Sequence, residues 1–366
     1  MSGPNYTPLV RALPSTVPFV GPETQERGMG RPFRARIGAN ENVFGPSPAA
    51  IKAMAEAAGG VWRYGDPENH DLKHALASSL GVRAENIVVG EGIDALLGYL
   101  ARMLVSQGTP VITSQGAYPT FNFHVSGFGG VLHMARYKDD REDPEALLAL
   151  AEQHNAPLIY FANPDNPMGT WHSAETVQSM IDRVPDGSLL ILDEAYVEFA
   201  PDGIAPPIQV TNDKVIRFRT FSKAYGMAGA RIGYGIGEAG LIDAFNKIRN
   251  HFGVNRIAQA GALASLADTD HVPQMRERIS RSRDRIATIA RDNGLEVIES
   301  ATNFVAIDCG RDDVHAKAVL AGLIEQGVFA RMPGVAPQNR CIRVSAGTDT
   351  DLDILADALK TVLKTI

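Results

Sequence analysis

Short apolar runs alternate with segments of helical spacing through the first two thirds of the chain. Between the first and second runs, apolar residues recur at helical spacing from position 93 to position 104. Strands that alternate with helices in this way predict an α/β fold with a mostly parallel sheet flanked by helices. The runs that we interpret as strands are 87–89, 110–113, 158–161, 189–192 and 215–221.

The last third of the chain has fewer strands and longer helices. A charged helix is predicted at 272–293, strands near 303–307 and 341–344, and a final helix that begins with a capping box of Thr348 and Asp351. This pattern predicts a smaller α+β domain. We therefore divide the chain into three parts: an extended, proline-rich N-terminal arm at 1–37, a large domain at 38–260, and a small domain at 261–366 that the N-terminal segment joins.

Polar clusters follow the predicted strands at the point where each strand ends. They are GEGID at 90–94, AYPTFNF at 117–123, NPDNPMG at 163–169, DEAY at 193–196 and a single lysine at 223. In open, mostly parallel sheets, ligands bind beyond the carboxyl ends of the strands. The sequence therefore predicts one ligand site at this edge of the sheet.

Lys223 stands among groups that bind phosphate. Thr220 and Ser222 supply hydroxyls, Arg231 follows Lys223 by eight positions, and several glycines lie in the same stretch. A lysine amine can condense with an aldehyde, and hydroxyls, backbone N–H groups and an arginine can hold a phosphate. A ligand with both groups is pyridoxal 5′-phosphate. An isolated lysine would more simply be an exposed charge, so this interpretation depends on the other clusters.

A helix start and a carboxylate extend the hypothesis. The backbone N–H groups of Ile93 and Asp94 begin a helix after a glycine turn, where a phosphate is favoured. Asp193 closes a buried strand, and a carboxylate there can keep a pyridine nitrogen protonated. Tyr196 and Asn166 can hydrogen-bond the 3′-oxygen of the ring. The simpler alternatives are a capping aspartate, a core tyrosine and an asparagine–proline turn.

Three further side chains complete the predicted site. Phe121 can cover a face of the ring, although a phenylalanine at such a position also suits the core. Arg343 and Arg331 lie in the predicted small domain, and an arginine fork binds carboxylate or phosphate in a bidentate manner. The alternative for both arginines is ion pairing at the surface.

Charge and cysteine content exclude several other classes of protein. The 366 residues have a net charge of −7 and no basic block, which argues against nucleic acid as a partner. Cys309 and Cys341 form no CxxC pair, which fits a reducing compartment. No apolar run reaches bilayer length, and prolines interrupt the N-terminus before a signal peptide could form. We expect a cytoplasmic protein with no membrane partner.

Two other motifs point to different chemistry. His70 and His74 have the i, i+4 spacing of metal ligands, but no third ligand accompanies them, and we expect no metal. Gly235, Gly237 and Gly240 match GxGxxG, the fingerprint of an NAD-linked oxidoreductase. No acidic residue follows at the required distance, so we interpret the match as chance.

Taken together, these motifs resemble the fold type I pyridoxal-phosphate-dependent aminotransferases of class I and II. The closest resemblance is to their histidinol-phosphate aminotransferase branch, which belongs to amino-acid biosynthesis. It rests on NENVFGPSP at 40–48, RYGDP at 63–67, DEAY at 193–196 and TFSKAYGMAGARIGY at 220–234, and it extends over residues 38–347. It implies a large α/β domain that carries the cofactor on a mixed, mostly parallel sheet, plus a small domain built from both chain ends.

The resemblance also implies a role for each site residue. Lys223 would join the cofactor's aldehyde and later move the substrate's α-proton, while Asp193 pairs with the ring nitrogen. Tyr64 would reach the phosphate of the other subunit's cofactor, which makes the active unit a homodimer. The 3′-oxygen would be held by Tyr196 and Asn166, the ring by Phe121, the phosphate by Ile93, Asp94, Thr220, Ser222 and Arg231, and the substrate's anionic groups by Arg343 and Arg331.

These expectations amount to ping-pong transfer of an amino group from an amino donor to a 2-oxo acid. An aromatic amino-acid aminotransferase and a pyridoxal-phosphate-dependent decarboxylase or lyase of the same fold remain open alternatives. An NAD-linked oxidoreductase and a binding module with an idle lysine are the others.

Overall fold

Twelve strands form three sheets in the part of the chain that the structure describes. That part, in a computed structural model, is residues 4–15 and 20–366. The strands are β1 (Ala35–Arg36), β2 (Ile87–Gly90), β3 (Pro110–Ser114), β4 (Val131–Ala135), β5 (Leu158–Ala162), β6 (Leu189–Asp193), β7 (Val215–Thr220), β8 (Gly233–Ile236), β9 (Glu296–Val297), β10 (Phe304–Asp308), β11 (Val328–Phe329) and β12 (Cys341–Ser345).

Thirteen α-helices accompany these strands within the same described ranges. Two of them begin with a serine or an aspartate cap followed by proline, the arrangement that favours a helix start. The helices are α1 (Pro8–Ala12), α2 (Pro22–Met29), α3 (Pro48–Ala58), α4 (His70–Leu80), α5 (Ile93–Leu104), α6 (Pro119–Gly127), α7 (Pro144–His154), α8 (Ala174–Asp182), α9 (Ala239–Ala244), α10 (Arg256–Ala267), α11 (His271–Asp292), α12 (Asp313–Glu325) and α13 (Asp349–Val362).

The large sheet has the strand order β2-β8-β7-β6-β5-β3-β4. Only β8 runs against its neighbours, so the carboxyl ends of the other six strands lie along one edge. Successive residues face opposite sides: Ile191 packs with α5 and α6, whereas Leu190 packs with α7 and α8. This is the predicted α/β fold with a mixed, mostly parallel sheet flanked by helices, and it is confirmed.

Two strands of the large sheet were not predicted. β4 is an edge strand with partly exposed residues, so its apolar signal is weak. β8 contains Gly233 and Gly235, which replace side chains where the sheet is crowded. A Cβ atom on Gly235 would lie 2.8 Å from the ring of Phe218, and one on Gly233 would lie 3.0 Å from the carbonyl oxygen of Arg219. The two glycines therefore make a strand that periodicity does not reveal.

The C-terminal third forms an antiparallel sheet, β12-β10-β9, which packs with α11, α12 and α13. The capping box of α13 is present: Asp351 N–H donates to Thr348 Oγ1 at 3.3 Å, and Thr348 N–H donates to Asp351 Oδ2 at 2.9 Å. β1 pairs with β11, so the N-terminal segment joins this part of the molecule. The division at residue 260 stays a prediction, and that position lies inside α10.

The sequence predicted an extended N-terminal arm, but the described part of the arm contains two helices. Residues of the arm form α1 and α2, and Glu26 of α2 accepts hydrogen bonds from Arg36 and from the Phe33 N–H. Positions 1–3 and 16–19 of the arm lie outside the described residues. Among the helices that are described, none has the length and apolarity that crossing a membrane requires.

Candidate active site

A cavity of about 300 Å³ lies at the carboxyl ends of the strands, where the polar clusters were predicted to meet. Its lining also includes Asn40, Glu41, Tyr118 and Tyr160, which the sequence did not single out. Eleven predicted site residues line it: Ile93, Asp94, Asn166, Asp193, Tyr196, Thr220, Ser222, Lys223, Arg231, Arg331 and Arg343.

Lys223 lies just beyond β7, with its amine inside the cavity. Nζ donates a hydrogen bond to the Asn40 carbonyl at 3.0 Å and lies 5.5 Å from the centre of the Tyr196 ring. The turn that carries the lysine packs tightly against the loop at 40–46. Asn42 Nδ2 donates to the Lys223 carbonyl at 3.2 Å, and a Cβ atom on Gly226 would lie 2.4 Å from the Gly45 carbonyl oxygen.

Asp193 ends β6 and is buried beneath the cavity. Its carboxylate accepts hydrogen bonds from the Tyr160 hydroxyl at 2.7 Å and the Ala195 N–H at 2.9 Å. No cation lies within ion-pair distance of it among the described residues. Burial raises the pKa of Asp193 to about 6, although both hydrogen bonds oppose that rise. The site therefore contains a buried carboxylate that a cationic ligand atom would stabilise.

A group of hydrogen-bond donors that could bind one phosphate lies at the start of α5. Gly92, the N-cap, has φ +84° and no side-chain cap, so the first N–H groups stay open. A Cβ atom there would lie 2.7 Å from Nη2 of Arg231. Arg231 Nη1 is 3.4 Å from Ser222 Oγ, and Ser222 N–H donates to Thr220 Oγ1 at 3.0 Å. These groups converge on one end of the cavity and suit an anion.

Asp94 lies in the same region but faces two donors already. Its Oδ1 accepts a hydrogen bond from the Tyr118 hydroxyl at 2.7 Å, and its Oδ2 lies 3.4 Å from Arg231 Nη2. Burial and the neighbouring carboxylate raise the pKa of Tyr118 well above its ordinary value, so the phenol remains a hydrogen-bond donor.

The position predicted for ring stacking needs a correction. Phe121 does not line the cavity: it is fully buried in the core, where its ring stacks on Tyr160 with centroids 4.8 Å apart. Tyr118, at the N-cap of α6, lines the cavity instead. Tyr118 is the N-cap and has non-helical backbone angles, whereas Phe121 lies inside the helix, so the two side chains leave the backbone in different directions. Tyr118 also directly precedes Pro119, a helix-start signal that could have identified it.

Tyr196 and Asn166 line the cavity, and each has a hydrogen-bond partner. The Tyr196 hydroxyl accepts a hydrogen bond from Asn40 Nδ2 at 3.1 Å. Asn166 Oδ1 accepts a hydrogen bond from Arg343 Nη1. This hydrogen bond connects the loop after β5 with the C-terminal part of the chain.

Arg331 and Arg343 are joined through the backbone, where each N–H donates to the other's carbonyl. Burial lowers the pKa of Arg343 to about 10, and its Nε has no hydrogen-bond partner among the described residues. Burial also lowers the pKa of Arg331, whose Nη2 donates to the Val20 carbonyl at 2.9 Å. Both residues retain a positive charge at neutral pH, and both can receive an anionic group from a ligand.

Tyr64 does not line the cavity of its own chain. It is 76% exposed, and its ring lies 4.7 Å from that of Phe252, which is 52% exposed. Val61 and Trp62 beside it are also exposed. We call Val61, Trp62, Tyr64 and Phe252 the apolar patch.

The two competing motifs do not form the sites that they suggested. Glu238 caps α9 and accepts a hydrogen bond from the Leu241 N–H at 3.0 Å, so a carboxylate occupies the helix start where a dinucleotide phosphate would bind. The rings of His70 and His74 in α4 are in contact, with centroids 4.1 Å apart and planes tilted by 31°. Within residues 4–15 and 20–366, no group of three or more His, Cys, Asp or Glu side chains could hold a metal ion.

The cavity residues fit pyridoxal phosphate. Asp193 is a buried carboxylate without a cationic partner among the described residues, as a ring nitrogen requires. The open start of α5 and Arg231 offer a phosphate site, and the amine of Lys223 lies in the same cavity.

Comparisons with known proteins agree with this geometry. The family model "Aminotransferase class I and II" matches residues 36–359. The chain is 31% identical to the histidinol-phosphate aminotransferase of Moorella thermoacetica, covering 98% of this chain and 93% of that protein. It is 34% identical to the histidinol-phosphate aminotransferase of Anaeromyxobacter sp., covering 98% and 99%.

Solved structures give the same result. A crystal structure of histidinol-phosphate aminotransferase from Sinorhizobium meliloti in complex with pyridoxal-5′-phosphate is 54% identical, with a TM-score of 0.96 and coverage of 99% of this chain and 98% of that one. A tetra mutant of Thermus thermophilus aspartate aminotransferase, 22% identical with a TM-score of 0.81 and coverage of 99% and 100%, shares the fold. The chain belongs to the class I and II aminotransferases, and it is a pyridoxal-phosphate-dependent enzyme that moves an amino group from an amino donor to a 2-oxo acid.

Proposed function

We propose that this aminotransferase takes its amino group from histidinol phosphate. The observation that carries the proposal is the pair Arg331 and Arg343, which places two guanidinium groups in a cavity that also holds Lys223. The donor brings a phosphate ester and the 2-oxo acid brings carboxylates, and the same two arginines can bind either anion. The relatives that carry this name, at 31% to 54% identity, support the assignment.

The chain's own residues divide the chemistry between them. When bound, pyridoxal phosphate supplies an aldehyde for the amino group and a protonated ring that accepts the electrons of the substrate's α-carbon. Lys223 Nζ removes the proton from the α-carbon and later returns one. The Asp193 carboxylate holds the proton on the ring nitrogen, because an uncompensated negative charge is costly where Asp193 is buried.

The remaining site residues position the cofactor. Tyr196 and Asn166 would hydrogen-bond the 3′-oxygen, and Tyr118 would take the stacking role first expected of Phe121. The phosphate would be held by the N–H groups of Ile93 and Asp94 and by Thr220, Ser222 and Arg231, which all line the same cavity.

A panel of amino donors tests the proposed substrate. The purified holoenzyme is supplied with 2-oxoglutarate and with histidinol phosphate, histidinol, phenylalanine or tyrosine, and glutamate formation is measured. We expect the highest kcat/KM with histidinol phosphate and a large loss with histidinol, which lacks the anion that the arginines bind. A kcat/KM for phenylalanine or tyrosine equal to that for histidinol phosphate would favour an aromatic amino-acid aminotransferase instead.

Replacing Arg343 by alanine tests the anion site. We expect KM for both substrates to rise about 30-fold, since a hydrogen bond between charged groups contributes about 2 kcal/mol. Steady-state kinetics with each substrate measure the change. Arg285→Ala is the matched control, because Arg285 pairs with Asp349 and Asp353 and does not line the cavity. An unchanged KM in Arg343→Ala would remove this residue from the substrate site.

We also propose that the active unit is a homodimer in which Tyr64 reaches the partner's cofactor phosphate. The apolar patch supports this, because exposed aromatic side chains in contact, such as Tyr64 and Phe252, are typical of protein interfaces. Arg256 Nη2 donates to the Tyr64 carbonyl at 2.8 Å and so fixes the backbone from which the exposed phenol projects.

Tyr64→Phe tests the contact between subunits. We expect about 10-fold weaker binding of the cofactor with the dimer intact, because only one hydrogen bond to a charged phosphate is lost. Equilibrium dialysis measures cofactor binding, and sedimentation measures the oligomeric state. Tyr6→Phe, at another exposed tyrosine, is the control. Equal retention of the cofactor in Tyr64→Phe and wild type would argue against the contact.

A further inference from the structure

Three acidic side chains line the cavity, and two of them already have partners. Asp193 accepts from Tyr160 and Ala195, and Asp94 accepts from Tyr118 and faces Arg231. The third acid is Glu41. Its carboxylate is exposed, and among the described residues it makes no hydrogen bond and no ion pair. Its charge still favours the protonated state of Arg331, which places it on the arginine side of the cavity.

The backbone that carries Glu41 is fixed. Asn303, which is fully buried, donates through Nδ2 to the carbonyls of Asn40 at 3.1 Å and Glu41 at 3.2 Å. The Asn40 N–H donates to Ser345 Oγ at 2.9 Å, and Asn40 has φ +56°. Because these contacts anchor the main chain, only the side chain of Glu41 can turn. The carboxylate of Glu41 is therefore within reach of a ligand in the cavity, and it has capacity to accept a hydrogen bond.

We propose that Glu41 is a specificity-determining residue that binds the imidazole ring of the amino donor. The inference rests on the proposed function. If the arginines hold the donor's phosphate and its amine approaches Lys223, the imidazole is the part of the donor that remains to be bound. An imidazole ring has an N–H donor, and its protonated form is a cation, so a carboxylate suits both forms. A phenyl ring offers neither and would displace water from the carboxylate without compensation.

The 2-oxo acid has no group that Glu41 can bind. It carries no N–H donor, and the repulsion between its carboxylates and Glu41 applies to the donor's phosphate as well. Since Glu41 is exposed, its side chain can turn towards solvent when this substrate binds. Glu41 therefore contributes to the donor half-reaction and not to the acceptor half-reaction, a combination that a purely structural residue would not produce.

Glu41→Gln tests the inference, because glutamine keeps the size of the side chain and removes the charge. We expect kcat/KM for histidinol phosphate to fall about 10-fold, that for phenylalanine to change less than about twofold, and KM for 2-oxoglutarate to stay equal or fall. Single-turnover kinetics of the holoenzyme follow each half-reaction separately. Glu296→Gln, at an exposed glutamate on β9 outside the cavity, is the control.

The outcomes separate this inference from the proposed function. If the wild type uses histidinol phosphate and Glu41→Gln uses it equally well, the inference is overturned and the proposed function stands. An equal loss with histidinol phosphate and phenylalanine also overturns it, since that shows a general structural effect. If the wild type does not use histidinol phosphate, the proposed function fails. Histidine and phenylalanine then test the ring preference, and an unchanged ratio between them in Glu41→Gln overturns the inference.

Discussion

Lys223→Ala is expected to lower the rate of transamination by about 10⁴-fold or more and to leave the fold intact. The lysine supplies both the covalent attachment and the base, and a positioned base alone contributes up to about 10⁴-fold. The fold should persist because, among the residues that the structure describes, the Lys223 side chain donates a hydrogen bond only to the Asn40 carbonyl, which also accepts from Asn303. Amino transfer and circular dichroism measure the two effects.

Lys52→Ala, at a largely exposed lysine on α3, is the matched control and should retain full activity. Borohydride reduction followed by digestion and mass spectrometry gives an independent result, with a pyridoxyl adduct expected only on the peptide that contains Lys223. Turnover near the wild-type rate in Lys223→Ala, or an adduct on another lysine, would contradict the assignment.

Asp193→Asn is expected to lower kcat by about 10²-fold or more, which is the scale of removing one preorganised electrostatic partner. The amide can keep both local contacts, since its oxygen can accept from the Ala195 N–H and its nitrogen can donate to the Tyr160 hydroxyl. It cannot balance a protonated ring. Stopped-flow measurement of the donor half-reaction tests this, and a kcat within threefold of wild type would show that Asp193 has no part in the chemistry.

The same carboxylate makes the stability of the cofactor-free protein depend on pH. Burial raises the pKa of Asp193 from 3.8 to about 6, so its neutral form stabilises the fold at low pH, and that contribution is lost as the pH rises through 6. A cation beside the ionised carboxylate restores this contribution to stability, because it balances the buried negative charge. Pyridoxamine phosphate should therefore raise the melting temperature more at pH 8 than at pH 5. Asp193→Asn, which cannot ionise there, should lack this difference, and the same difference in both proteins would refute the explanation.

One rule explains why many of the predicted site residues line the same cavity. Side chains such as Asp193 and Lys223 follow parallel strands, whose carboxyl ends share one edge whatever the order of the strands in the sheet. The strand β8 could not be predicted in the same way. Its glycines are needed because neighbouring atoms leave no room for a side chain, and only the folded sheet brings those atoms close.

Residues within strands and helices were harder to assign to the cavity than residues that directly follow a strand. Tyr160 belongs to β5, and its contact with Asp193 depends on which side of the sheet each residue of the strand faces. Phe121 and Tyr118 differ by less than one helical turn, yet one is in the core and the other lines the cavity. Glu41 gave no periodic signal, since it lies in a loop that Asn303 holds from a distant part of the chain.

The close approach of Gly226 to Gly45 has a consequence for protein engineering. The atoms that a side chain at 226 would meet belong to main chain, at 2.4 Å, and main chain cannot rotate aside as a flexible side chain could. The turn that carries Lys223 and the loop at 40–46 therefore form one packed unit, despite their separation in the sequence. A chimera that exchanges one without the other, or a library that alters the length of either, would misplace the reactive amine even though every catalytic residue was kept.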